Sequence, residues 1–283
     1  MNKTILIPNK KEKLVSLVES VLNSDKYRNE LSILMETFSL TQEDVIQAFL
    51  DYNMDIFSHG NEIYSSHAIR IVLHIHNLIE NSWHIERQAL TNDLINIANP
   101  NSIIDLGFGV PSLYTRNVLK QEKFITLCDI YEPTLHFAEQ LIKIWNPEWL
   151  QTVSFLHTDL ADVEKCTGEF DLYIFLNSIE HVKDPTLSLS QYVKNSGPNT
   201  FFLIELPIGP ITPEHYYEWK TVKEVINWTN HCGLDILNGH HIHVNPKVDL
   251  FAEQHNFIYS SYLMLCKKSY SSESSQFFKD KDI

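Results

Sequence analysis

Ser102–Ser112 reads SIIDLGFGVPS, a short apolar run that ends in Asp105 and Leu106 and empties at once into a Gly-x-Gly turn. Strand, glycine turn and helix, in that order, is how an open α/β sheet builds a nucleotide crevice. Gly107 and Gly109 can take backbone angles forbidden to other residues, and they let a ligand lie against bare main chain. Val110-Pro111 stands where a third small residue is usual. Proline suits the first helical position, because the N–H it lacks would have no intrahelical acceptor there, so a helix is expected to start here. By itself the Gly-x-Gly reads equally as an ordinary strand-to-helix turn.

Downstream of this stretch, apolar runs of strand length alternate with amphipathic helical stretches, the signature of βαβ units and a mainly parallel sheet. Strands are expected at Ser102–Leu106, Phe124–Asp129, Val153–His157, Leu172–Leu176, Thr200–Leu206, Leu234–Leu237 and Tyr259–Cys266. Helices are expected through Tyr114 and Leu119, through Leu135 and Ile142, from Asp184-Pro185 to Val193, and over Thr221–His231 up to Gly233. The serine-rich, charged tail 269–283 is expected to have no fold of its own.

Upstream, residues 10–100 read as helices only. Thr41 before Gln42, Glu43 and Asp44 is a helix start, with Val45, Phe49, Tyr52 and Ile56 on one face. A longer helix is expected from Asn61 to Asn81, burying Ala68, Val72, Ile75 and Ile79. His67, Arg70 and His74 share another of its faces, which either is solvated or lines a pocket for an anionic group. The division expected is a helical lid or substrate domain over 1–100, a Rossmann-like sheet domain over 101–268 and the tail.

Composition narrows the function. With 283 residues and 43% hydrophobic content the chain can bury a large core, and a formal charge of −14 repels nucleic acid and anionic lipid. No apolar run is long enough to span a bilayer. Cys128, Cys166, Cys232 and Cys266 are scattered, with no C-x-x-C pair, which fits a reducing cytoplasm better than a disulfide framework.

In such a sheet the ligand lies beyond the carboxyl ends of the strands. Asp129 ends the second, placed to accept from both hydroxyls of a ribose. Asp159 and Leu160 follow the third, where an adenine would meet them. Asn177 and His181 follow the fourth and open onto the same crevice. Glu205 lies near the end of the fifth. The run Gly239-His240-His241-Ile242-His243 raises a metal site with His215 against ordinary loop histidines, and no acid or cysteine is fixed nearby by spacing, so no metal is assigned.

The successive segments DLGFG, CDIYEP, HTDLADV and FDLYIFLNSIEHVKDP resemble the motifs of class I S-adenosylmethionine-dependent methyltransferases, over roughly residues 101–268. PEHYYEWKTVKEVINWTNHCGLDIL is similar to the region where these enzymes place a substrate loop, a helix and the sixth strand. The resemblance implies an α/β Rossmann-like sheet of seven strands, the last antiparallel, here preceded by an all-α N-terminal region. It implies S-adenosyl-L-methionine as cofactor, with Asp105, Gly107 and Gly109 around its methionine part, Asp129 on its ribose, and Ile130, Asp159 and Leu160 on its adenine. Asn177 would lie beside the sulfonium and the acceptor.

Methyl transfer needs chiefly alignment, and a base only where the acceptor starts protonated. His181 is the base candidate, since its ordinary pKa lies near neutrality; the alternative is that it caps or packs under the next helix. Glu205 is a second catalytic candidate, for steering a cationic amine. Tyr64, His67, Arg70, His74 and Tyr216 are the candidate substrate contacts. The expected activity is transfer of a methyl group to the N or O of a small molecule by a monomer or homodimer. Two alternatives stay open. In one the aminocarboxypropyl arm of the cofactor reacts, releasing methylthioadenosine. In the other the chain is a non-catalytic partner subunit that retains the cofactor fold.

Overall fold

The computed structural model of the chain describes residues 10–54, 66–79, 83–209, 215–243 and 260–269. Ser102–Leu106 forms β1, and it lies inside a single sheet with Phe124–Asp129 (β2), Val153–His157 (β3), Leu172–Leu176 (β4), Phe201–Ile208 (β5), Leu234–His243 (β6) and Ser260–Lys268 (β7). The spatial order is β3-β2-β1-β4-β5-β7-β6. Strands β1 to β5 pair in parallel, and β7 runs antiparallel to both β5 and β6. Because β1 pairs with β2 on one side and β4 on the other, the chain reverses its direction of travel across the sheet at β1, and a crevice opens at that reversal.

The helices are Lys10–Leu22 (α1), Arg28–Thr37 (α2), Gln42–Met54 (α3), His67–Leu78 (α4), Trp83–Ala98 (α5), Leu113–Leu119 (α6), Glu132–Trp145 (α7), Val163–Cys166 (α8), Pro185–Asn195 (α9) and Val222–His231 (α10). Their starts follow local chemistry. Thr41 and Asp44 cap α3 reciprocally, the Asp44 N–H donating to Thr41 Oγ1 and the Thr41 N–H to Asp44 Oδ2. Ser66, Asp184 and Thr221 cap α4, α9 and α10 by accepting the N–H of Ile69, Leu187 and Glu224.

Alternation along the inner strands fills two cores. Ile104, Leu106, Tyr173, Phe175, Phe202 and Ile204 point to the face covered by α8, α9 and α10. Ile103, Ile125, Leu127, Leu172, Ile174 and Leu203 point to the other, with Leu94 and Ile95 of α5, Val118 and Leu119 of α6, and Ala138 and Ile142 of α7. The helix that directly precedes the sheet is thus part of the sheet's own core. The separate helical layer is α1 to α4, whose buried Leu14, Val18, Leu31, Leu34, Phe49, Val72 and Ile75 pack onto Phe137 and Leu141 of α7 and onto Val110 of the glycine turn.

Three strands differ in length from expectation. β5 reaches Ile208, β7 reaches Lys268, and β6 extends to His243, so Gly239–His243 is strand and not loop. The extension of β6 comes from pairing with β7, which supplies ladder partners out to Ser260. Residues 55–65, which include Ile56 and Tyr64, and 270–283 lie outside the described residues. Among the described residues no helix is long and apolar enough to cross a membrane, and all four cysteines are buried thiols.

Candidate functional site

The glycine turn after β1 forms the floor of the crevice. Gly107 and Gly109 have φ of +68° and +63°, in the left-handed region that side chains avoid. A Cβ on Gly107 would lie 2.8 Å from Ser178 Cβ and 3.2 Å from Leu160 Cδ2, so the ends of β3 and β4 close directly onto bare backbone. Asp129 ends β2 and braces the turn: Oδ2 accepts the Gly109 N–H at 3.2 Å and Oδ1 the Tyr131 N–H at 2.9 Å. Burial pushes its carboxyl upward, against the pull of Arg70 and these two N–H groups.

Arg70 comes from the helical layer. It is buried, its Nη1 donates to the Gly109 carbonyl at 3.2 Å, and its guanidinium lies 5.8 Å from the centre of the Tyr131 ring. Next to Asp129, Ile130 is half exposed, an apolar rim a planar base can lie on. Asp159 is exposed, with Oδ1 accepting the Ala161 N–H at 2.8 Å.

At the end of β4 the chain turns through Asn177, whose φ of +51° is rare for a residue with a side chain though tolerated by asparagine. Its backbone N–H donates to the Glu205 carbonyl at 3.1 Å, and its side-chain Oδ1 is buried without a hydrogen-bond partner. The 3-10 turn Ile179–His181 follows. Glu180 is completely buried, neither carboxylate oxygen has a partner in another residue, and burial pushes its pKa up to about 8, with Glu205 adding to the rise. The Tyr216 N–H donates to the Glu180 carbonyl at 2.8 Å. This bond brings His215 beside His181, ring centres 4.8 Å apart and nearly perpendicular. Burial, with His181 contributing, lowers the His215 pKa to about 4.

Behind the crevice lies a buried charge cluster. Arg87 of α5 donates from Nε to Glu205 Oε2, and Ser261 donates to Glu205 Oε1 at 2.7 Å. Asp105 is buried, accepts the Tyr114 hydroxyl on Oδ2, and has no hydrogen-bond partner on Oδ1. Burial raises its pKa to about 7, more than Tyr114 and Arg87 lower it. An aspartate of ordinary pKa 3.8 in the unfolded chain loses its proton first, while the folded protein keeps its own up to about 7. The contribution of Asp105 to stability is therefore complete below the lower value and is lost as pH rises through that window. Asp105→Asn, which still accepts from Tyr114, removes this titration. Its melting temperature is expected to gain on the parent's steadily across the window, and a gap constant with pH would refute the buried, protonated Asp105.

No known protein-family profile matches the chain, and no curated protein matches its sequence. Solved structures do match. The [4+2]-cyclase SpnF superposes with a TM-score of 0.54 at 11% identity, over 67% of this chain and 84% of that one. N-methyltransferase NodS from Bradyrhizobium japonicum WM9, in complex with S-adenosyl-L-homocysteine, gives 0.52 at 14% identity, over 69% of this chain and 92% of its own. The chain has the class I S-adenosylmethionine-dependent methyltransferase fold.

Within this methyltransferase fold, Asp105, Gly107, Gly109, Asp129, Leu160, Asn177 and Ser178 gather around the first glycine turn. Other expected residues are placed elsewhere. His74 is buried with Nε2 2.7 Å from Glu30 Oε1, joining α4 to α2, and His67 stacks on Phe38 at 4.1 Å. Sharing a helix face with Arg70 was not enough, because α2 covers part of that face. Glu205 is not free to steer an acceptor amine, since Arg87 and Ser261 occupy both its oxygens. Tyr216 is exposed and joins the site through its backbone. His241 and His243 do share a face of β6, ring centres 3.9 Å apart, but His215 stands with His181 instead. Tyr64 lies outside the described residues. Arg87 and Glu30 were not legible as site or core partners, because nothing in their local pattern shows what lies across the fold. Glu180 was visible only as a letter of the motif that ends β4.

Proposed function

We propose that the chain is an S-adenosylmethionine-dependent transferase that methylates an N or O atom of a small molecule. The observation that carries the reading is Asp129 at the end of β2, bonded to the N–H of Gly109 in the turn opposite it. The Gly109 and Tyr131 N–H groups fix the carboxylate without using all of its acceptor positions, so it keeps capacity to accept from the hydroxyls of a ribose. The residues present fit the cofactor on further grounds. Ser178, which stands against Gly107, and the preceding Asn177 each carry a buried side-chain oxygen, Ser178 Oγ and Asn177 Oδ1, without a hydrogen-bond partner.

When bound, S-adenosylmethionine supplies an electrophilic methyl group. The protein's part is to bind, orient and keep water out. Gly107 and Gly109 offer bare main chain to the methionine part, Asp129 accepts from the ribose, and Ile130, Asp159 and Leu160 receive the adenine. Arg70 ties the helical layer to the turn, so the crevice is roofed beside Val110. Asn177 offers donor and acceptor atoms for fixing an acceptor without gaining charge, and alignment of this kind supplies much of the rate in a group transfer.

Similar folds also carry other chemistry, as the [4+2]-cyclase shows, so the product decides. Incubation of the pure protein with S-adenosylmethionine and a panel of small amines, phenols and carboxylates is expected to yield S-adenosylhomocysteine. Methylthioadenosine would instead establish reaction of the aminocarboxypropyl arm. Absence of cofactor binding by calorimetry would leave only a scaffolding role.

A further inference from the structure

Glu180, His181 and His215 each offer one ligand atom, and these atoms lie within 4.8 Å of one another. We propose that the three residues form a binding site for a divalent first-row transition metal, with open coordination positions facing an oxygen-bearing small molecule in the acceptor crevice. Two imidazoles and one carboxylate are a donor set suited to zinc, iron(II) or cobalt(II), and three protein ligands leave room for water or a substrate oxygen.

The independent observation is the state of Glu180. It has no solvent exposure, and both carboxylate oxygens lack a hydrogen-bond partner in another residue. A buried carboxylate in that condition is costly unless a cation completes it. Arg87 is near enough to ease its charge but is committed to Glu205. A metal ion bound by the three residues supplies both the missing charge and the missing partner.

The backbone also holds the donors together. Glu180 and His181 are adjacent in one 3-10 turn, and the Tyr216 N–H bond to the Glu180 carbonyl anchors His215 beside them. The place suits an acceptor, because Ser178, two residues before Glu180, is the side chain that closes onto Gly107. A hydroxyl bound to such a metal becomes far more acidic than in water. That use rests on the transferase reading; the metal site itself does not.

The test is a cobalt(II) titration of chelator-treated full-length protein, read by its visible ligand-field bands, with no cofactor or acceptor present. One equivalent per chain is expected to bind. His181→Gln, His215→Gln and Glu180→Gln are each expected to weaken it at least about tenfold, the loss that even an outer-shell change can cause. His241→Gln is expected to leave it unchanged. His215→Gln is the decisive variant, because its side chain lies outside the core clusters and circular dichroism can confirm that it folds. No saturable binding up to about 1 mM, or binding lost in His241→Gln but retained in His215→Gln, would overturn the proposal. Calorimetry of the same stripped protein with S-adenosylhomocysteine tests the transferase reading separately.

Discussion

Arg87→Met is expected to destabilise the folded protein by about 3–5 kcal/mol, the cost typical of breaking a buried ion pair on one side. Glu205 has no solvent exposure, and its two oxygens are held by Arg87 and Ser261. Methionine keeps most of the packing of the arginine stem but removes the charge, leaving a carboxylate in the core with a single hydroxyl for company. Arg87 also holds down the raised pKa values of Asp105 and Glu180, so its removal pushes both carboxyl groups further toward the protonated form. The double variant Arg87→Met, Glu205→Leu is expected to recover most of the loss, because it removes the orphaned charge as well as its partner. Urea unfolding of the parent, both singles and the double measures this. A single-variant loss under about 1 kcal/mol, the size of a surface pair, would mean that the pair is not buried as described.

Asp129→Ala is expected to weaken S-adenosylhomocysteine binding at least tenfold. Two charge-assisted hydrogen bonds to the ribose, at about 1.5–3 kcal/mol each, allow a still larger loss. The turn contributes too: without Asp129 the Gly109 N–H loses its acceptor, and the glycine turn is less ordered. The unliganded fold is expected to survive. The substitution that removes two hydrogen bonds also removes the cost of burying a carboxyl group, which shows as its raised pKa. Asp129→Asn keeps an acceptor for one N–H, so it separates the two contributions and is expected to fall between parent and Ala. Calorimetry gives the affinities and thermal melting the fold. Equal affinities in all three proteins would sink the ribose assignment.

The strands and the glycine turn were legible because they are written in local terms. Ile103 and Ile104 alternate between two cores, and the positive φ at Gly107 and Gly109 is a conformation that glycine permits at a strand-to-helix turn. Asp129 was legible as well, since a strand end at a set distance from a glycine turn is a matter of spacing along one chain. What stayed hidden depended on partners far apart in sequence.

His67, Arg70 and His74 look alike on a helical wheel, yet Glu30 takes His74, Phe38 takes His67, and only Arg70 reaches the turn. Glu205 ends in a pair with Arg87, 118 positions away. His215 meets His181 and not His241, because a backbone bond from Tyr216 to Glu180 fixes the loop. The sequence by itself determined the sheet, its crevice and the acid at the mouth, all consequences of periodicity, glycine and proline chemistry acting over a few residues. Only the tertiary structure decided which charges are spent holding the fold and which remain for a ligand, because burial and pairing are set by what packs across the space between elements.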